Sequence, residues 1–294
     1  MKLILNLFSF FAITFLLQIN AFAQTPTGIM TDRPKTEAGD PNRKPPIDGV
    51  VEKKLTAEKR VLPYESLREA DIMWEKYVWR VIDTREKLNL PFVYPDRPFF
   101  KVLMEAAIGG NITAYSTDDD KFTYPLTPDE VAAQSASQDT IITFDPDTYE
   151  EVVKIVRNDI NYEDVKRFRV KEVWFFDEES SRLGVRILGI APLLDVKDKN
   201  TGVFIREQPM FWIYYPEARE ILAREQYFNE GNDASPLTWE DIMEMRFFSS
   251  YIYKASNVRN ERIQDYITGG VDRLLEGDKI RQEIFNLEHD LWSY

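Results

Sequence analysis

Histidine occurs once, at His289, and cysteine not at all. Zinc sites draw on Cys and His with occasional carboxylates, so this chain lacks most of the ligands that such chemistry needs. A serine nucleophile would have to take its base from His289 alone, and no G-x-S-x-G turn presents one. Asp118-Asp119-Asp120 clusters oxygens as calcium prefers, but the alternating ligands, glycine and closing glutamate of a calcium loop do not follow. Gly109-Gly110 ends an apolar run instead of opening a helix after a strand, so it does not form a phosphate-cradling loop. The wealth of Asp, Glu and aromatic residues keeps one catalytic alternative, a glycan-binding or glycan-cleaving protein working through paired carboxylates. No catalytic residue, cofactor or metal ligand is assigned.

The densest mixture of charge and aromatic surface is Asp71 to Phe92, "DIMWEKYVWRVIDTREKLNLPF". Ser66-Leu67-Arg68-Glu69 just before it has the form of a capping box, which predicts a helix from Ser66 to about Leu88, stopping before Pro91. On that helix Met73, Trp74, Tyr77, Val81 and Thr84 would share a core stripe. Ile72 and Trp79 would lie opposite, flanked by Ile82 and Asp83, as a second apolar patch rimmed by charge. Such a patch suits a partner-binding surface made of Ile72, Trp79, Ile82 and Asp83. The competing reading covers Trp79 with another part of the same chain, and the residues leave both open.

The elements that must carry these residues begin after a leader. Lys2, the apolar run Leu3–Leu17 and the Ala21-Phe22-Ala23 motif predict a secretory signal peptide over residues 1–23, cut before Gln24. Residues 24–60, with Pro26, Pro34, Pro41, Pro45 and Pro46, read as an extended arm. Residues 61–294 then form a single domain. With no cysteine there is neither a disulfide nor a thiol to carry lipid, so any membrane association must come through a partner or through surface contacts. A net charge of −13 repels phosphate backbones and argues against a nucleic-acid partner.

Within the domain, Asp96 and Pro98 announce a helix through Phe99, Val102, Leu103 and Ala106, forming a hairpin with the first. Thr127-Pro128-Asp129-Glu130 starts a short helix, and Asp145-Pro146 another, carrying Tyr149, Val152, Val153 and Val156. The period then falls to two. Lys166–Asp177, Gly184–Asp195 and Val203–Tyr215 read as strands of an antiparallel meander, with Pro209 at an edge or bulge. Helices follow from Pro216 to Arg224 and from Thr238 through Met243, Phe247, Tyr251 and Lys254. The tail supplies two amphipathic segments broken near Gly269-Gly270 and Gly277. The expected class is α+β, helices flanking a small antiparallel meander of three strands or more.

The ordered set Met73-Trp74-Glu75-Lys76-Tyr77-Val78-Trp79-Arg80-Val81-Ile82-Asp83, then Glu86-Lys87-Leu88-Asn89 and Pro95, resembles the GldN/PorN family of gliding-motility proteins. The resemblance continues through Phe99–Ile108, Pro125-Leu126 and the Val173–Tyr215 sheet, nearly the whole mature chain. It implies a periplasmic, non-enzymatic subunit of the type IX secretion machine. Implied partners are an outer-membrane lipoprotein of the GldK/PorK type, the periplasmic part of inner-membrane motor proteins of the GldM/PorM type, and further copies of the chain in a ring.

Overall fold

The computed structural model describes residues 50–51, 53–144, 151–159, 162–198 and 201–291; the signal segment, most of the arm and residues 145–150 lie outside them. Residues 53–294 form one compact unit, so the last residues of the expected arm join the domain. There Lys53 Nζ donates to the Asp233 carbonyl at 2.8 Å, and Lys59 Nζ lies 2.5 Å from Asp241 Oδ1.

The charged aromatic run is a strand. β1 spans Ile72–Asp83 and pairs antiparallel with β6 (Val165–Asp177). Its β-branched and aromatic side chains suit a pleated surface, and they find in β6 a partner of matching length. Ser66 caps nothing; a single 3-10 turn, Glu69–Asp71, precedes the strand, with Arg68 Nε donating to Asp71 Oδ2 at 2.7 Å. Residues 78–83 are buried in unbroken sequence because that half of the sheet is covered on both faces, which erases the alternation expected of a half-exposed strand.

The remaining strands are β2 (Ala114–Tyr115), β3 (Pro125–Leu126), β4 (Ala136–Phe144), β5 (Glu151–Asp159), β7 (Arg182–Lys197), β8 (Phe204–Pro209), β9 (Trp212–Tyr214) and β10 (Tyr251–Ala255). Eight of the ten strands among the described residues make one antiparallel sheet in the order β10-β1-β6-β7-β9-β2-β3, with β8 on the far end of β7. The class is α+β as expected, but the sheet is larger than a three-stranded meander. The strand expected over Val203–Tyr215 divides after Pro209, and both pieces pair with the sixteen-residue β7. Strands β4 and β5 form a separate hairpin, so the part of the expected Asp145 helix that is described, with Val152, Val153 and Val156, is strand.

The helices are α1 (Phe99–Ile108), α2 (Pro128–Ser135), α3 (Tyr215–Leu222), α4 (Trp239–Glu244), α5 (Ile263–Tyr266) and α6 (Gly270–Leu291). Thr127 caps α2 as the sequence indicates, its amide and hydroxyl both donating to Glu130. Thr238 and Asp241 form the reciprocal box of α4. That helix stops after Glu244, and Tyr251, expected to continue it, begins β10 on the edge of the sheet. Phe92, Phe99, Phe168 and Trp239 meet edge-on or tilted at the centre of the main core. Helix α6 runs through Gly277 without a break and packs with Ile280 and Ile284 on Val78 and Ile252. A β-carbon at Gly277 would stand 2.8 Å from the Ile252 carbonyl oxygen, so this glycine serves close approach to β10.

Candidate partner-binding surface

The four residues expected to form one patch are placed in different environments. From Trp74 to Asp83 the pairing of β1 with β6 is regular, so Trp79 and Ile82 point to opposite faces of the sheet. Ile82 is fully buried in the main core beneath the helices. Trp79 is 7% exposed and packs with Ala191 and Trp212, with Lys254 Nζ 4.4 Å from its ring centroid and Lys171 Nζ at 5.7 Å. The chain thus supplies its own cover for Trp79. Ile72, half-buried, sits at the start of β1 opposite Asp177.

Asp83, also buried, ends the strand as a charge anchor. Its carboxylate accepts from Arg85 Nη2 at 2.5 Å, Arg85 Nε at 2.9 Å and Arg167 Nε at 3.1 Å. The hydrogen bonds from Arg85 outweigh the effect of burial and, with those from Arg167, hold its pKa down at about 2. Arg167 continues to Glu207 on β8, tying β1, β6 and β8 together. On the same face Arg169, with its guanidinium 5.1 Å from the Tyr253 ring, lines a cavity of about 360 Å³ with Glu207 and Arg273.

Sequence spacing misses a second charge cluster. Glu172, with no exposed surface, accepts from Arg80 Nε at 3.1 Å and Trp174 Nε1 at 3.1 Å, and its other oxygen lies 2.8 Å from Arg246 Nη2. Arg80 and Glu172 are 92 residues apart, so only the β1–β6 pairing unites them. Arg246 arrives by a backbone device. The amide of Phe247 donates to the Ile242 carbonyl and that of Arg246 to Met243, the paired closure of a helix end that usually places glycine at the left-handed position. Here Arg246 occupies it at φ 56°, and its guanidinium lies 5.3 Å from the ring centroid of Trp174 and 5.7 Å from that of Phe248. Asn89 fixes the neighbouring turn: fully buried, it donates to the carbonyls of Asp83 and Ser249 and accepts from the Ser249 amide.

Arg80 and Arg246 open onto a cavity of about 490 Å³ whose lining includes Leu88, Ser250, Arg281 and Phe285. Leu88 also lines an adjoining apolar groove of about 1000 Å³ with Leu90, Val93 and Phe247, walled by the stacked rings of Tyr94 and Phe228 at 4.1 Å. Leu90, Phe247 and Phe285 are at least half exposed. Large apolar side chains gathered at a surface in this way mark contact sites.

The residues weighed for hydrolytic or metal chemistry are engaged otherwise. Asp118 accepts from Ser116 Oγ, Asp119 from the Lys121 amide, and Asp120 lies 3.9 Å from Lys254 Nζ while its carbonyl accepts from Lys171. His289 stands exposed near the end of α6 beside Asp290. The arrangement sets a paired internal charge cluster beside an apolar groove.

No curated protein matches the chain. The family model described as "Gliding motility associated protein GldN" matches residues 67–293, which takes in every described strand of the sheet and the six described helices. That span carries β1 with its whole tryptophan-rich run, the Arg80–Glu172–Arg246 cluster and the groove beside it. The chain belongs to the GldN family of gliding motility associated proteins.

Proposed function

We propose that this protein is a non-enzymatic structural subunit of the periplasmic ring of the type IX secretion system, required for protein secretion and gliding. In this reading it is held at the outer membrane by a lipoprotein of the GldK/PorK type. It engages the periplasmic part of inner-membrane motor proteins of the GldM/PorM type and associates with further copies of itself.

The observation that carries this is the family match over residues 67–293, the whole of the sheet and its helices. The surface gives it support: exposed Leu90, Phe247 and Phe285 lie around a groove, and interaction proteins need such contact area. The glycan-cleaving alternative requires two carboxylates facing one cleft. The three cavities described above have at most one carboxylate each in their linings, Glu207 in one and Glu230 in another.

Co-expression with the lipoprotein, stripped of its lipid-bearing cysteine, tests the proposal. The two are expected to co-elute as a complex on size exclusion. Separate elution of two folded proteins would remove the ring-subunit reading.

A further inference from the structure

The cluster around Glu172 is short of negative charge. Arg80 and Arg246, whose side chains are 8% and 22% exposed, share the single carboxylate of Glu172, and both Arg246 Nη1 and Glu172 Oε1 are shut from solvent with no hydrogen-bond partner. Burial pulls the Arg80 guanidinium below its ordinary range, Glu172 opposes that pull, and Arg246 and Arg281 add to it. Arg281, from α6, lines the same cavity and has Asp278 2.7 Å away on its own helix. A cavity lined by guanidiniums and aromatic rings, with no carboxylate in its lining and Glu172 buried behind it, favours an added anion.

The neighbouring surface says what kind of molecule would bring it. Leu88 lines both the cationic cavity and the larger apolar groove, and the consecutive residues Arg246, Phe247 and Phe248 divide between them. A free small anion would neutralise the guanidiniums but leave Leu90, Val93 and Phe247 in water. A polypeptide segment can fill both at once.

We infer that the cavity of Arg80, Arg246 and Arg281, together with the groove of Leu90 and Phe247, is the docking site for a segment of a different protein. That segment carries an Asp or Glu between large apolar residues. Its carboxylate meets the guanidiniums, its apolar flanks lie in the groove and against Phe285, and seating it ties α6 to the turn at Ser249-Ser250. This assignment rests on the reading of the protein as an assembly subunit.

The test places a photo-crosslinking phenylalanine analogue at Phe247 or at Phe285 in the full chain, expressed in the source organism. Both positions are expected to crosslink to one segment of one partner, and mapping of that segment is expected to find a carboxylate residue. Arg281→Glu should lower the crosslink yield roughly tenfold, the equivalent of one charge-assisted contact. Exchanging the partner's acidic residue for Arg should restore it. If Arg281→Glu lowers the melting temperature, Arg281→Gln replaces it, with the same direction of effect.

Absence of crosslinks, a mapped segment without Asp or Glu, a crosslink to a second copy of the chain, or a yield indifferent to Arg281 would each overturn the assignment. Saturable stabilisation by phenylacetate, lost in Arg281→Glu and unaccompanied by crosslinks, would replace it with a small-anion site. Co-elution of the unsubstituted protein with the lipoprotein is scored separately. The docking site can therefore fail while the ring reading stands, and crosslinks to an unrelated acidic protein would fail the ring reading alone.

Discussion

Arg80 Nε lies 3.1 Å from Glu172 Oε2, inside the domain and across the β1–β6 pair, and Glu172 has no exposed surface. With Arg246 on its other oxygen, Glu172 holds two guanidiniums that have no other carboxylate within ion-pair distance among the described residues. Removing one member of a buried charge cluster strands the others, and this costs much more than the cluster contributes relative to apolar packing.

Glu172→Ala is therefore expected to lose about 3–5 kcal/mol of stability, read from urea midpoints. Replacing Arg80, Glu172 and Arg246 together by apolar residues of similar volume should lose far less. If the single and triple replacements cost the same, the cluster is not held by mutual neutralisation.

Asp83 supplies a pH dependence whose sign follows from its depressed pKa. With a folded value of about 2 against an ordinary 3.8, its contribution is complete above about pH 4 and disappears as pH falls toward 2. Asp83→Asn should cost roughly 2 kcal/mol at pH 6 and much less near pH 2.5. A stability difference that stays constant across that range would mean that the ion pairs with Arg85 and Arg167 do not set it.

Trp79 belongs to the interior of the fold, boxed by Trp212, Ala191 and the ammonium of Lys254. Trp79→Ala is expected to destabilise the protein by about 3–5 kcal/mol, as removal of a buried aromatic does. Lys254→Met, which keeps the stem and deletes the cation, should cost about 1 kcal/mol. Thermal unfolding with near-ultraviolet circular dichroism checks both. A Trp79→Ala protein as stable as its parent would return this ring to the surface.

Helix α1 is legible in the sequence from its helical spacing and its Gly109-Gly110 end, and strands β6 and β7 from the turn residues Glu178–Ser181 between them. β1 is not. Its apolar residues satisfy a helical wheel as well as a pleat, and its buried half has no polar face to reveal the period of two. The end of α4 is hidden for another reason: Arg246 takes the left-handed position where glycine would have announced a stop, so the helical spacing continues into what is β10. The charge cluster depends on both misread elements, since β1 brings Arg80 and the end of α4 brings Arg246 to Glu172. Strand pairing is what brings its members together. Cofactor-like motifs are local and can be read along a chain; this site is assembled from residues 80, 172, 246 and 281.

Gly277 carries the last expectation, and its sign reverses the usual one. In an exposed helix interior, Gly→Ala gains about 1 kcal/mol because alanine restricts the unfolded chain and suits the helix. At Gly277 the added β-carbon would lie 2.8 Å from the carbonyl oxygen of Ile252, a backbone atom of β10 that cannot turn aside like a side chain. Gly277→Ala must move α6 away from the sheet edge, loosening Ile280 and Ile284 from Val78 and Ile252. A net loss of about 1–3 kcal/mol is expected, with faster amide exchange along α6 than along α1. A gain in stability would show that α6 does not seat on β10 at this distance. The cationic cavity, which takes Arg281 and Phe285 from α6, would then lose the wall that completes it.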